Sequence, residues 1–275
     1  MDAQVSVREC VGAALRFVRK HWRRIAIAAV IGAGLTAALT AVSLSSPLFA
    51  LFVDVANWLV QSFVFAVFVK AELGDKDRFR AADGLRMFGA MTVIGFFLFL
   101  VFFVLMIPGA VVLVAGPMAP YVADMQAAGQ DQAAMMRVMM RFAQENPAPL
   151  LAFFAFYGIL WFLLTSRLYL VAPATMEAKR VLTFDTWRWT RGMTLKIAGA
   201  RIMLLVPAFI LMAALTYLAA RSVGIDPTSA TQRPSLPIFA SYILMDRIVF
   251  FAAYLALEAG LSTALYRALK PAASK

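Results

Sequence analysis

"SRLYLVAPATMEAKRVLTFDTWRWTRG", residues 166–192, sets four arginines and two tryptophans between two long apolar runs. A chain threaded through a bilayer gathers such residues for a physical reason. Indole rings settle at the membrane–water interface, and Lys and Arg collect in the loops that stay in the cytoplasm. The composition demands a bilayer: 63% of the residues are hydrophobic and 15% charged, against roughly 45–50% and 25% in soluble domains. With a mean hydropathy of +0.80, a chain of 275 residues cannot hide its apolar surface in water.

The formal charge of +11 would point to nucleic acid in a soluble protein. In a membrane protein it follows from basic cytoplasmic loops, so no nucleic-acid partner is expected. Cys10 and His21 are the only residues of their kinds, which excludes an internal disulfide and leaves no His/Cys metal site. No cofactor is expected. No cleavable signal peptide is expected either, since the first apolar run begins near Ile25 behind a basic segment and continues too long.

Six stretches are long enough to cross a hydrocarbon layer about 30 Å thick, which needs about 20 helical residues. They are Ile25–Leu44, Pro47–Val69, Gly89–Ala115, Leu150–Val171, Ile197–Ala220 and Pro237–Leu269. The fold class is therefore an all-α membrane protein with six transmembrane helices. A basic amphipathic helix over residues 1–24 precedes the membrane domain of residues 25–269, and a tail of residues 270–275 completes the chain. Pro108-Gly109 is expected to end or kink the third span, and Ser45-Ser46 forms the tip of a tight first hairpin.

The cations test this threading. The N-terminal segment holds six (Arg8, Arg16, Arg19, Lys20, Arg23, Arg24) and the first hairpin tip none. The second loop holds five (Lys70, Lys76, Arg78, Arg80, Arg86) and the third two (Arg137, Arg141). The fourth, with its helix ends, holds seven (Arg167, Lys179, Arg180, Arg188, Arg191, Lys196, Arg201). The fifth holds two (Arg221, Arg233) and the C-terminus three (Arg267, Lys270, Lys275). The bias places both termini in the cytoplasm of a bacterial-type inner membrane. Arg201, one turn into the fifth span, is expected to snorkel back to that surface.

In the opening stretch Thr183 reads as an N-cap, Asp185 as a favourable first-turn acid and Gly192 as a terminator. Phe184, Trp187 and Arg188 or Arg191 then share a face suited to the headgroup layer. At the N-terminus, Val7, Val11, Ala14, Val18, Trp22 and Ile25 form a similar stripe opposite Arg8, Arg16, Arg19 and Arg23. "AADGLRMFGAMTVIG", residues 81–95, is a weaker version before the third span. Leu15-Arg16-Phe17, Leu85-Arg86-Met87 and Trp187-Arg188-Trp189 line up, as a threefold repeat of helix plus hairpin would require. Basic lead-ins to spans are nevertheless common without any repeat.

One resemblance rests on the same residues. An Arg ending a span (Arg167), an apolar run to Pro173, the acid Glu177 and then Thr186-Trp187-Arg188-Trp189-Thr190-Arg191-Gly192 resemble the membrane domain of glycerophosphoryl diester phosphodiesterases. The closing "ALYRALK", residues 264–270, is similar to that family's C-terminal end. The resemblance covers about a tenth of the chain. It implies a helical membrane module without the catalytic barrel, in which that family keeps its metal-binding acids and histidines.

No nucleophile–base constellation is present, so no enzyme is expected. "GAGLTA", residues 32–37, imitates a dinucleotide fingerprint but comes after no strand; small residues for close helix packing explain it better. "MMRVMM", residues 135–140, has spacing suited to a soft ion, yet Met135, Met139 and Phe142 read as one face of a helix resting on the membrane. Polar residues at membrane depth are costly. Asp54, Asn57 and Gln61 make one stripe in the second span, with Asp54 about 24 Å from Lys70. Arg247 and Glu258, 11 residues apart in the last span, would share a face about 16 Å apart in an α-helix. Spans two and six are therefore expected to face one another, Arg247 reaching toward Asp54 and Glu258 toward Gln61 or Asn57.

The residues expected to meet anionic phospholipid headgroups are Arg167, Arg180, Trp187, Arg188, Trp189 and Arg191, in a protein that organises, senses or moves lipid. A membrane-protein partner or a second copy is compatible with this reading. The rival is a small-molecule or ion transporter using Asp54, Asn57, Gln61, Arg247 and Glu258.

Overall fold

In lipid an apolar run must close its own backbone hydrogen bonds, and a helix is the only single segment that does so. The structure, a computed structural model, describes residues 6–45, 47–74, 79–225 and 235–270, and every regular element among them is helical. Six helical segments among the described residues are long and apolar enough to cross a membrane: Val7–Leu44, Ala50–Leu73, Ala81–Ala115, Pro147–Ala178, Thr194–Ser222 and Leu236–Leu269. They make the chain a multi-pass membrane protein. Ser46, Lys76, Arg78, Arg233 and Lys275 lie outside the described residues, with residues 1–5 and the rest of the tail beyond Lys270.

The chain divides into two compact units, Met1–Ile94 with Ser166–Lys275, and Gly95–Thr165. The first contains α1 (Val7–Ser45), α2 (Ala50–Leu73), the start of α3 (Ala81–Ala115) and the last residues of α6 (Pro147–Arg167). Then come α7 (Val171–Ala178), α8 (Asp185–Trp189), α9 (Thr194–Ser222), α10 (Leu236–Val249), a π-helical turn (Phe250–Leu255) and α11 (Ala256–Leu269). α1 packs against α2, α9, α10 and α11, and α2 also against α7 and α11. Lipid supplies no hydrophobic drive between helices, so close approach needs small residues. At Gly32 a Cβ would lie 2.6 Å from Val64 Cγ2 and 3.1 Å from Phe251 Cε2. "GAGLTA" is thus a packing surface.

Several expectations change. The N-terminal amphipathic helix is continuous with the first span, interrupted only by a kink at His21 (φ −108°, ψ 17°). Its apolar face is covered by protein, not headgroups: Cys10, Val11 and Ala14 are buried in a cluster with Leu204, Leu261 and Leu265. Trp22, expected on that stripe and next to the kink at His21, is 59% exposed, whereas Ile25 beyond the kink is buried. The lead-in to the third span also merges with it in α3, whereas α8 stands apart from α9; the three lead-ins therefore do not share one design. Pro108 does not end α3, which continues to Ala115.

The second unit holds the rest of α3, α4 (Val122–Ala128), α5 (Gln132–Glu145) and α6 up to Thr165. Tyr157 donates its hydroxyl to the Leu105 carbonyl at 2.9 Å, one turn before Pro108. Gly109 permits this approach, since a Cβ there would lie 2.7 Å from Tyr157 Cε2. The helix expected over residues 131–144 forms, capped by Asp131, whose carboxylate accepts from Ala133 N at 2.9 Å and Ala134 N at 3.1 Å. Its stripe does not all face lipid: Phe142 is buried with Met118 and Tyr121, while Met135 is half-buried and Met139 exposed.

Candidate functional site

The loop between α7 and α9 is built from its threonines outward. Thr175 is fully buried and its Oγ accepts from Leu182 N at 3.2 Å, which folds the chain back after α7. Thr186, also buried, donates to the Thr183 carbonyl at 2.9 Å. Thr190 donates to the Arg167 carbonyl at 2.9 Å, tying the end of α6 to the end of α8. Phe184, not Thr183, occupies the N-cap position of α8, and no side chain caps it. Gly192, at φ +78°, takes the left-handed torsion that ends the turn without a Cβ penalty.

Of the six residues expected to face headgroups, three turn inward. Arg167 sends Nη2 to the Trp187 carbonyl at 3.0 Å and Nη1 to the Thr194 hydroxyl at 3.4 Å. Its guanidinium also lies 4.7 Å from the Trp187 ring centroid, a cation–π contact. Trp189 leans on Tyr266 of α11, ring centroids 6.1 Å apart. Arg167, Trp187 and Trp189 therefore form the scaffold of the loop. Arg180, Arg188 and Arg191 are exposed, and so is Phe184. Arg188 pairs with Asp185 at 3.0 Å, yet its side chain is 81% exposed, so the pair is weak and leaves the charge available.

The same end of the first unit collects further ion pairs. Lys270 reaches Glu177 at 2.8 Å, joining the ends of α11 and α7. Lys70 reaches Asp83 at 2.7 Å with both side chains 10% exposed. Arg267 holds Glu72 at 3.0 Å.

The polar residues of spans two and six are not paired as expected. Arg247 pairs with its neighbour Asp246 at 3.3 Å, and Asp246 accepts from Thr216 of α9 at 3.1 Å. Asp54 is exposed and forms no ion pair among the described residues. Asn57 keeps its side-chain oxygen buried without a hydrogen-bond partner, and Gln61 is half-buried. The π turn over Phe250–Leu255 lies between Arg247 and Glu258. Its wider i→i+5 turn rotates α11 about the helix axis relative to α10, so the 11-residue spacing no longer returns to one face. α11 does pack against α2, whereas α10 packs against α1 and α9.

Glu258 belongs instead to a cluster that sequence reasoning missed. Tyr169 links its backbone to Arg201 of α9. Arg201 Nη1 donates to the Ser166 hydroxyl at 2.7 Å, at the end of α6, and the guanidinium lies 4.7 Å from the Tyr169 ring centroid. Tyr169 donates to the Glu258 carbonyl at 3.4 Å. The available signal was Arg201 itself, a cation inside an apolar span. Among the described residues no group of His, Cys, Asp and Glu is disposed to hold a metal ion.

No family model, no curated protein and no solved structure matches this chain.

Proposed function

We propose that this chain is a non-enzymatic membrane protein that engages anionic glycerophospholipids at the leaflet where both termini lie, the cytoplasmic leaflet of a bacterial inner membrane. The observation that carries the reading is the division of labour in the α7–α9 loop. Arg167, Trp189 and the buried threonines fix its shape, and the fixed shape leaves Arg180, Arg188, Arg191 and Phe184 facing outward. A rigid loop presenting cations around an aromatic ring suits an interface of headgroups. The likeness of Arg167–Gly192 to the membrane domain of glycerophosphoryl diester phosphodiesterases supports the same reading, as a free-standing module.

Each basic side chain near an anionic surface contributes about 1 kcal/mol. Replacing Arg188 and Arg191 by Glu should therefore lower the preference of the reconstituted protein for phosphatidylglycerol over phosphatidylcholine by about 30-fold or more. Fluorescence exchange of labelled lipids measures this, with elution as a single species as the check on folding. An unchanged preference at physiological salt would refute the assignment.

A second reading, transport of an ion or small molecule, is favoured by one observation: an intramembrane acid, Glu258, whose backbone carbonyl accepts from Tyr169, with the Arg201 guanidinium over that Tyr169 ring. On that reading Glu258→Gln abolishes flux in proteoliposomes while assembly is retained. Equal flux through Glu258→Gln and the native chain would remove it.

A further inference from the structure

Two concavities open on the seam between α1 and α2. One, of about 360 Å³, is polar: Lys20, His21 and Arg24 of α1 face Glu72, Gly74 and Arg267. The other, of about 330 Å³, is wholly apolar, walled by Ala28, Ile31 and Leu35 of α1 and Val60, Phe63 and Val67 of α2. They are continuous in helical register. On α1 the lining steps from Lys20 through Arg24, Ala28 and Ile31 to Leu35, at intervals of three and four residues. On α2 it steps from Ala71 through Val67 and Phe63 to Val60. Residues three and four apart lie on one face of a helix, so from Arg24 to Leu35 on α1 and from Ala71 to Val60 on α2 each helix offers a single stripe, while Lys20 joins the notch from before the kink at His21. Arg24 and Ala28 are separated by about 6 Å along the axis.

Among the described residues the charge in the polar notch is unbalanced. Its acid, Glu72, is already taken: Arg267 donates Nη1 to the carboxylate at 3.0 Å and Nη2 to the Glu72 carbonyl. Lys20 and Arg24 are exposed and pair with no carboxylate among the described residues. Two uncompensated cations beside a histidine form a site for an anion of phosphate type. The groove below them has no polar group to satisfy, and its outer wall, Ile31 and Leu35, is exposed. From Arg24 to Leu35 the seam runs about 16 Å, close to the ~15 Å of one leaflet's hydrocarbon.

We infer that the α1–α2 seam binds one anionic phospholipid lengthwise, its phosphate in the Lys20–His21–Arg24–Arg267 notch and an acyl chain along Ala28–Leu35. The site is separate from the α7–α9 loop and shares with the proposed function only the placement of the terminal end in an anionic leaflet. The notch supplies charge selectivity and the groove supplies chain affinity, so neither half alone holds the lipid.

Native mass spectrometry of the full chain in mild detergent tests this, with phosphatidylglycerol and phosphatidylcholine as probes. The native chain should retain one phosphatidylglycerol and release phosphatidylcholine. Lys20→Gln with Arg24→Gln should weaken phosphatidylglycerol retention about 30-fold, while Lys20→Arg with Arg24→Lys preserves it. Ile31→Trp, which fills the groove from an exposed position, should also release the lipid, and it decides the matter if the glutamine variant fails to fold. Arg188→Glu with Arg191→Glu should leave this one lipid bound, which separates the seam from the loop. Equal retention of phosphatidylcholine, displacement by millimolar inorganic phosphate, a second copy of the chain in place of lipid, or full retention in Ile31→Trp would each overturn the proposal.

Discussion

Replacing Asp83 by Ala is expected to lower the stability of the detergent-solubilised protein by about 3–5 kcal/mol, the usual cost of removing one partner from a buried ion pair. Asp83 is a hub. Its carboxylate accepts from Lys70 Nζ at 2.7 Å, from Arg86 Nη1 at 3.1 Å and from the backbone N–H of Arg80 at 3.1 Å. The Lys70 and Asp83 side chains are only 10% exposed, so water replaces the lost carboxylate poorly. Lys70 ends the second span and Asp83 opens the helix of the third, so the pair closes the loop between them. Lys70→Met with Asp83→Leu should cost far less than Asp83→Ala, because the two buried charges leave together and Arg86, 37% exposed, stays solvated. Chemical unfolding of the three proteins checks this. A loss below about 1 kcal/mol for Asp83→Ala would show a solvated pair of the surface kind.

That pair marks the boundary of what the sequence discloses. Span number and approximate ends come from local hydropathy, which acts residue by residue along the chain. Partner choice between spans does not, since helices in lipid are held by packing of small residues and by scattered polar contacts. Lys70 and Asp83 were two charges of opposite sign 13 residues apart, with nothing local to join them. The same reason defeated the pairing of Arg247 with Asp54. The 11-residue repeat that placed Arg247 and Glu258 on one face assumed α-helix throughout, and the π turn at Phe250–Leu255 removes that premise. In the α7–α9 loop the residue types at the interface were legible, because Trp and Arg belong there. Which arginines turn inward was not, because the difference between Arg167 and Arg188 lies in carbonyls that only the folded loop presents.

The N-terminal helix gives the second large expected effect. An apolar stripe reads identically whether lipid or protein covers it, and here protein does. A Cβ at Gly260 of α11 would lie 3.0 Å from Ala14 Cα and 3.0 Å from Phe17 Cδ1, a contact in which one side is backbone and cannot give way easily. Gly260→Leu must therefore push α1 off α11, an overpacking cost of about 1–3 kcal/mol. The free cysteine reports the result. Cys10 is buried beside Ala14 in the same cluster, so a maleimide reaches it only when the N-terminal segment of α1 opens locally. In the native chain labelling should be slow, and Gly260→Leu should accelerate it about 5- to 150-fold, the same penalty expressed as a population of the open form. Leu15→Ala, at an exposed position on the same helix, should leave the rate unchanged. Fast labelling of the native chain would place the segment on the membrane surface, as its stripe alone implies, and would remove the packed α1–α11 contact from the fold.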